Sequence, residues 1–337
     1  MCIRDRTHTY RLTVSQSTPP TADQMEKVNL HIPLKIALYD ARGTKQMLQH
    51  NGELLSDVLN VTEKDQVFEF QGIYGRPIPA LLCDFSAPVK LDYDYTTEQL
   101  LGLLKFADNQ FARWDAAQML FTQELRRNVA HFQQGEAFEI SPDVLTALAH
   151  VLENYEQDIE LATLILTLPK DIEFAESFKT IDPDGIAAAR EFMLVQIAEY
   201  LKEDLLRIYT HIRLEDYRVT KEDIALRAMR NLCLSYLAYT NLGNNVVQKH
   251  YNNANNMTDT LAALNMATKA ALPCRDTLLA DFEQKWQHDG LVMDKWFALQ
   301  ATRPDENVLE IVQALMDHPS FNFNNPNRLL SLVGSFA

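Results

Sequence analysis

Near Asp92 the hydrophobic period of this 337-residue chain changes, and the change fixes what the two parts can become. Before that point apolar residues alternate. "TYRLTV" from Thr9, "HIPLKIALYD" between Ile32 and Leu38, and "QVFEFQG" through Val67, Phe68 and Phe70 send side chains to two faces in turn, the period-2 pattern of a half-buried strand. After "DYTTEQL" the spacing becomes helical: Trp114, Ala117, Leu120, Phe121 and Leu125 in "RWDAAQMLFTQELRRNVAHFQQ" fall on one stripe, as a helix with one buried side requires. The expected fold class is α+β and multidomain, with a β part at residues 1–92 and an all-α part at 93–337.

In the first part, short strands at regular intervals with Pro and Gly between them predict a small antiparallel sandwich of immunoglobulin-like type, without the Cys…Trp…Cys pattern of antibody domains. "ARGT" reads as a turn, and "PALLCDFSAPVKLDYDY" is expected to supply further short strands. Pro77, Pro79 and Pro88 confine any strand near them to an edge or an end, because proline cannot donate to a ladder.

The second part has the composition of a helical array. The whole chain has only 10 glycines, and Leu, Ala, Gln, Glu and Met are plentiful. Thr97 is expected to cap "EQLLGLLKFADNQF". Further helices are expected over 142–155, 158–168 and 171–178, with one long helix over 184–210. The next is opened by Thr220, with Asp223 at its third position in a variant capping box. Short connections make neighbours antiparallel, and stacked pairs of that kind build a superhelical solenoid, although no fixed repeat period is visible.

One stretch raises the question of a site. "NNANNMTDTLAAL" packs four asparagines into five residues from Asn252 and then turns into an Ala/Leu-rich run. Asn255 or Asn256 is expected to cap that run, and Asp259 in its first turn complements the helix dipole. Asn252 and Asn253 then belong to a loop or to the frayed end of the preceding helix.

Charge and motif content exclude several functions. The formal net charge is −15; Lys and Arg number 10 against 11 Asp and Glu up to Asp92, which leaves 21 against 35 beyond it. Such a surface repels phosphate backbones and anionic lipid, so neither nucleic acid nor membrane is an expected partner. No apolar run approaches the ~20 residues of a span, and "MCIRDRTHTYRLTV" lacks a secretory h-region, so a cytoplasmic protein is expected. Four separated cysteines, Cys2, Cys83, Cys233 and Cys274, form no C-x-x-C pair and are expected to be reduced. No two of the nine histidines lie within four residues of each other, so no local zinc pair exists. There is no G-x-S-x-G, P-loop or G-x-G-x-x-G. Cys274 in "LPCRD" reads as inert packing rather than a nucleophile, and the pairs Glu203/Asp204 and Glu222/Asp223 as solvated helix carboxylates. Leu278, Leu279, Phe282 and Trp286 have core spacing, with Gly290 expected to end their helix before the segment that carries Trp296.

"SAPVKL", "RWDAAQ", "ANNMTDTLAAL", "LPCRD", "GLVMDKWFALQAT" and "NPNRLLSLVGSFA" occur in an order and spacing that resembles the C-terminal part of the bacterial aminopeptidase N family of zinc metallopeptidases, from about Thr9 to Ala337. The resemblance implies an immunoglobulin-like sandwich followed by a helical superhelix that covers the active-site chamber and limits substrate access. It also implies that the chemistry sits in a separate catalytic domain carrying G-x-M-E-N, H-E-x-x-H with a downstream Glu, and a Tyr. None of these motifs is present, so this chain alone is expected to be inactive and to bind no cofactor, zinc belonging to the intact parent enzyme. The implied partners are the missing catalytic domain of the same polypeptide and peptide substrates. Met1 to Arg6 depart from the family pattern, and the family continues beyond the "GSFA" end, which implies a truncated product with Leu329, Leu332 and Phe336 short of packing partners. Asn256, Asn325 and Arg328 are the candidate chamber residues. The alternative is a free-standing helical-repeat scaffold that binds a protein partner without chemistry.

Overall fold

The computed structural model describes residues 8–214 and 216–337, so the atypical Met1–Arg6 and Cys2 lie outside the described residues. Its strands are β1 (Thr9–Ser15), β2 (Ile32–Tyr39), β3 (Gln49–His50), β4 (Glu53–Leu54), β5 (Val58–Val61), β6 (Asp65–Gln71) and β7 (Ile78–Leu81). All pairings are antiparallel. β1 runs against β6 with Thr9 opposite Gln71 and Ser15 opposite Asp65, β3 pairs with β4, and β2 is central in the order β5–β2–β7. The alternation read from the sequence places Tyr10, Leu12, Leu34, Ile36, Leu38 and Phe70 in the core of these sheets, where Val61 of β5 joins them. Burying each side chain of this size contributes about 2 kcal/mol. Pro79 sits inside the edge strand β7, opposite Leu38. Its carbonyl accepts a hydrogen bond from the Tyr95 hydroxyl at 2.9 Å, so the nitrogen on the same side faces away from β2 and no ladder bond is lost.

The strands expected beyond Pro88 do not form. After β7 the backbone enters left-handed conformations at Leu82 (φ 61°), Asp84 (φ 57°) and Phe85 (φ 51°), which turn the chain off the sheet. This is an unfavourable run for residues other than glycine, and side chains hold it. The Asp84 carboxylate receives Lys35 Nζ at 2.6 Å and Asn109 Nδ2 at 2.5 Å, and the Asn109 side-chain Oδ1 accepts the Asp84 N–H at 3.3 Å. Val89, Leu91 and Tyr93 then pack on the core as irregular chain.

The helices are α1 (Thr97–Phe106), α2 (Gln110–Gln134), α3 (Pro142–Glu153), α4 (Ile159–Ile165), α5 (Asp171–Ala175), α6 (Pro183–Tyr200), α7 (Lys202–His211), α8 (Lys221–Leu237), α9 (Gly243–Asn253), α10 (Met257–Lys269), α11 (Arg275–Trp286), α12 (Gly290–Ala301), α13 (Val308–Leu315) and α14 (Pro326–Leu329), the last continuing into a π-helical turn at Leu330–Gly334. Several ends differ from the sequence reading, each for a local reason. Thr96, not Thr97, caps α1, because Gln99 closes a reciprocal capping box on it. The long helix over 184–210 is two helices: Leu201 leaves helical geometry (ψ 5°), although i to i−4 bonds run through it from Leu201 N–H to Ile197 and from Leu205 N–H to Leu201. Gly290 begins α12 rather than ending α11, since the Asp289 side chain caps it by accepting the N–H groups of Leu291 and Val292.

The chain forms two compact units. One holds the residues up to Val151 together with Leu164–Ile186; the other holds Leu152–Thr163 and Ala187–Ala337. In the first, the α1–α2 hairpin joins the sheets, and Asn109 caps α2 through the Ala112 N–H at 3.0 Å. Asn128, fully buried, ties α2 to the chain ahead of α3 by bonding both the N–H and the carbonyl of Glu139. In the second, α7 packs on α8, α8 and α9 on α10, and α12 on the π-helical turn, where Leu332 is fully buried rather than short of partners. Among the described residues no helix is long and apolar enough to cross a membrane.

Candidate functional site

The asparagine cluster resolves residue by residue. Asn252 and Asn253 are the exposed last residues of α9. Asn256 is the cap of α10: its side-chain oxygen accepts the Asp259 N–H at 3.0 Å, while its amide donates to Asn255 Oδ1 at 2.9 Å and to Asp259 Oδ2 at 3.0 Å. Asp259 faces inward and is 4% exposed. Its other oxygen accepts from Asn231 Nδ2 of α8 at 3.0 Å and lies 3.9 Å from His250 Nε2 of α9.

That imidazole leads to a group the sequence reading missed. His250 is 2% exposed, and its Nδ1 lies 2.8 Å from the Tyr209 hydroxyl of α7. The Arg230 guanidinium stands over the Tyr209 ring at 5.1 Å. Burial, and then the Arg230 charge, hold His250 well below the usual imidazole range, at about 4, against the opposing pull of Asp259. His250 is therefore neutral at pH 7 and makes no ion pair with Asp259. The nearby carboxylate favours the tautomer with the proton on Nε2, so Nδ1 accepts from the Tyr209 O–H. Tyr, His and Asp in contact have the composition of a proton relay, but the set is interior and presents no nucleophile, so its role is to join α7, α8, α9 and α10. The sequence did carry a signal for it: Val247, His250 and Tyr251 lie one turn apart on the buried stripe of α9.

Replacing Asn256 tests the joint. Asn256→Ala should destabilise the second unit by about 1–2 kcal/mol, the cost of a lost cap. Asn256→Asp, ordinarily an equal cap, should not restore it, because its second oxygen would face Asp259 Oδ2 where the amide donated. Urea unfolding midpoints of the three chains check both statements.

Asn325 and Arg328 lie together but differ in exposure. Asn325 is exposed and caps α14 through the N–H groups of Asn327 (3.1 Å) and Arg328 (3.4 Å), with Pro326 at the first helical position. Arg328 is 5% exposed, so its side chain lies in the interior and not on an open face. Its Nε donates to Asp294 at 2.5 Å and its Nη2 to the Gly290 carbonyl at 2.8 Å; Nη1 bonds the Ser320 carbonyl, and the guanidinium covers the Phe297 ring at 4.9 Å.

The remaining candidates behave as packing. Cys274 opens α11, but burial pushes its thiol up rather than letting the helix end lower it, and Cys233 is pushed up to about 12. Trp296 is buried with its indole N–H on the Leu279 carbonyl at 3.0 Å. Asp223 departs from the solvated expectation: it is buried and paired with Arg218 at 3.0 Å. Among the described residues no three His, Cys, Asp or Glu side chains gather as a metal site requires.

An Ig-like set of sheets leading into stacked helices is the class that this geometry defines, and comparisons with known proteins agree. The family model described as "Domain of unknown function (DUF3458) Ig-like fold" matches residues 3–94, and "Domain of unknown function (DUF3458_C) ARM repeats" matches 97–337. Aminopeptidase N of Haemophilus influenzae is 87% identical over 333 residues, covering 99% of this chain, and Aminopeptidase N of Escherichia coli is 50% identical over 98% of it. The crystal structure of Legionella pneumophila aminopeptidase A in complex with aspartic acid superposes with a TM-score of 0.82 at 27% identity over 99% of this chain. The chain spans 38% of the length of each of these three. The chain belongs to the DUF3458 family, in the Ig-like and ARM-repeat pairing found in the C-terminal part of aminopeptidase N, and the resemblance read from its motifs holds.

Proposed function

We propose that this chain is the non-catalytic C-terminal portion of a cytoplasmic, zinc-dependent aminopeptidase that removes N-terminal amino acids from peptides. The observation that carries the reading is one of coverage: relatives named Aminopeptidase N match almost all of this chain with 38% of their own length. The absence of H-E-x-x-H from the sequence and of a metal cluster among the described residues is compatible with chemistry located elsewhere in the longer polypeptide. In this reading the helical part covers the active-site chamber and limits which peptides enter. Asn325 and the exposed asparagines beside Asn256 offer polar surface to the peptide, and Arg328 fixes the segment that carries Asn325.

The test has two arms. The purified chain, supplied with zinc, should not hydrolyse aminoacyl-p-nitroanilides. The Haemophilus influenzae Aminopeptidase N with its corresponding segment replaced by this chain should hydrolyse them and should retain the parent's dependence on peptide length. Zinc-dependent turnover by the chain alone would overturn the reading, as would a folded chimera that binds zinc and has lost that length dependence.

A further inference from the structure

We propose that the pocket where the α1–α2 hairpin meets β7 binds a primary ammonium group on a slender aliphatic stem, held by the Asp115 carboxylate. Its walls are Leu81 of β7, Leu100 and Leu103 of α1, and Ala112, Ala116 and Met119 of α2, with Asp115 the one charged residue among its lining. Empty space amounts to about 200 Å³ including the open mouth, and the enclosed part holds at most about one water-sized group, so the stem lies in the mouth. A ring or a guanidinium is too large for it, whereas an ammonium head fits.

The carboxylate is unmatched. Among the described residues Asp115 has neither an ion pair nor a hydrogen bond, and burial alone raises its pKa, to about 6. Groups that might have served it are committed elsewhere: the Tyr95 hydroxyl in the pocket wall donates to Pro79, and Arg113, two residues before it, donates Nε to the Leu104 carbonyl at 3.1 Å. A single carboxylate does not make a metal site, which needs several oxygen or nitrogen ligands. An ammonium needs only one counter-charge and apolar walls for its stem, which is what the pocket supplies. Ala112, Asp115, Ala116 and Met119 share one face of α2, so a charged residue within that apolar stripe was the sequence signal.

The experiment titrates the whole chain, carrying ¹³C-methyl methionine, with n-butylammonium, with an N-acetylated, C-amidated Gly-Lys-Gly peptide, and with n-butanol. The Met119 methyl resonance should shift saturably with n-butylammonium, and n-butanol should leave it in place. Asp115→Asn should weaken binding at least tenfold, and Ala116→Leu, which keeps the carboxylate and fills the pocket, should do the same. The other nine methionine methyls report that each variant is folded. Saturation by the peptide as well would mean that lysine side chains are a source of the ammonium; saturation by n-butylammonium alone would mean a free amine. Failure of both cations to saturate overturns the proposal, as does equal affinity for n-butanol or unchanged affinity in folded Asp115→Asn.

Discussion

Arg328→Ala is expected to destabilise the second unit by about 3–5 kcal/mol, the usual cost of removing one partner from a buried ion pair. Truncation leaves the Asp294 carboxylate, with a side chain only 18% exposed, without its cation. It also strips the Gly290 and Ser320 carbonyls of their donors and uncovers the Phe297 ring. Arg328→Lys should recover less than half of the loss, because one ammonium on a flexible stem cannot reach three acceptors in different directions as the planar fork does. Denaturant unfolding of the chain gives both numbers. A double-mutant cycle with Asp294→Ala separates the pair from the carbonyl contacts: if the buried charge dominates, the double variant will be more stable than Arg328→Ala. A loss under about 1 kcal/mol in Arg328→Ala would show that the guanidinium is not the clamp described here.

This clamp also marks where sequence reasoning runs out. The cap half of "NPNR" was legible, because asparagine followed by proline at the first helical position is a local signal that acts over three residues. The burial of Arg328 was not, since its partners stand 34 residues away at Asp294, 38 at Gly290 and 8 at Ser320. The same division runs through the fold. Alternation in β1, β2 and β6 and the stripe of α2 were readable because packing on one face imposes a period. The missing strands after Pro88 were not, because three left-handed residues within four positions, Leu82, Asp84 and Phe85, contradict local propensity and are held by Lys35 of an earlier strand and Asn109 at the cap of a later helix. Asp259 could be placed in the first turn of α10, yet its meeting with His250 and Asn231 depends on how α8, α9 and α10 stack, which no local spacing encodes.

The two units should respond to acid in opposite directions. His250 is held at about 4 by burial and Arg230, below the ~6.5 of an unfolded chain. Between those values the unfolded state binds more protons than the folded one, so the second unit loses stability as pH falls from about 6.5 towards 4, by up to about 3 kcal/mol. The groups facing the imidazole are Tyr209 of α7, Arg230 of α8 and Asp259 of α10, and of these only the Asp259 carboxylate opposes the shift. Asp115 has the reverse sign. Its folded pKa, raised to about 6, exceeds the ~3.9 of an unfolded aspartate, so the folded first unit binds more protons in that window and loses stability as pH rises from about 4 to 6. Partial exposure of the carboxylate keeps that loss to about 2 kcal/mol. Hydrogen exchange, corrected for intrinsic rates, should therefore show protection falling in α9 and α10 and rising in α2 as the solution is taken from pH 6 to pH 4. His250→Gln should flatten only the first trend and Asp115→Asn only the second, with Asp115→Asn more stable than the parent at pH 7. Slopes of the same sign in both units would mean that one of these groups is matched by a partner and does not carry the linkage assigned to it.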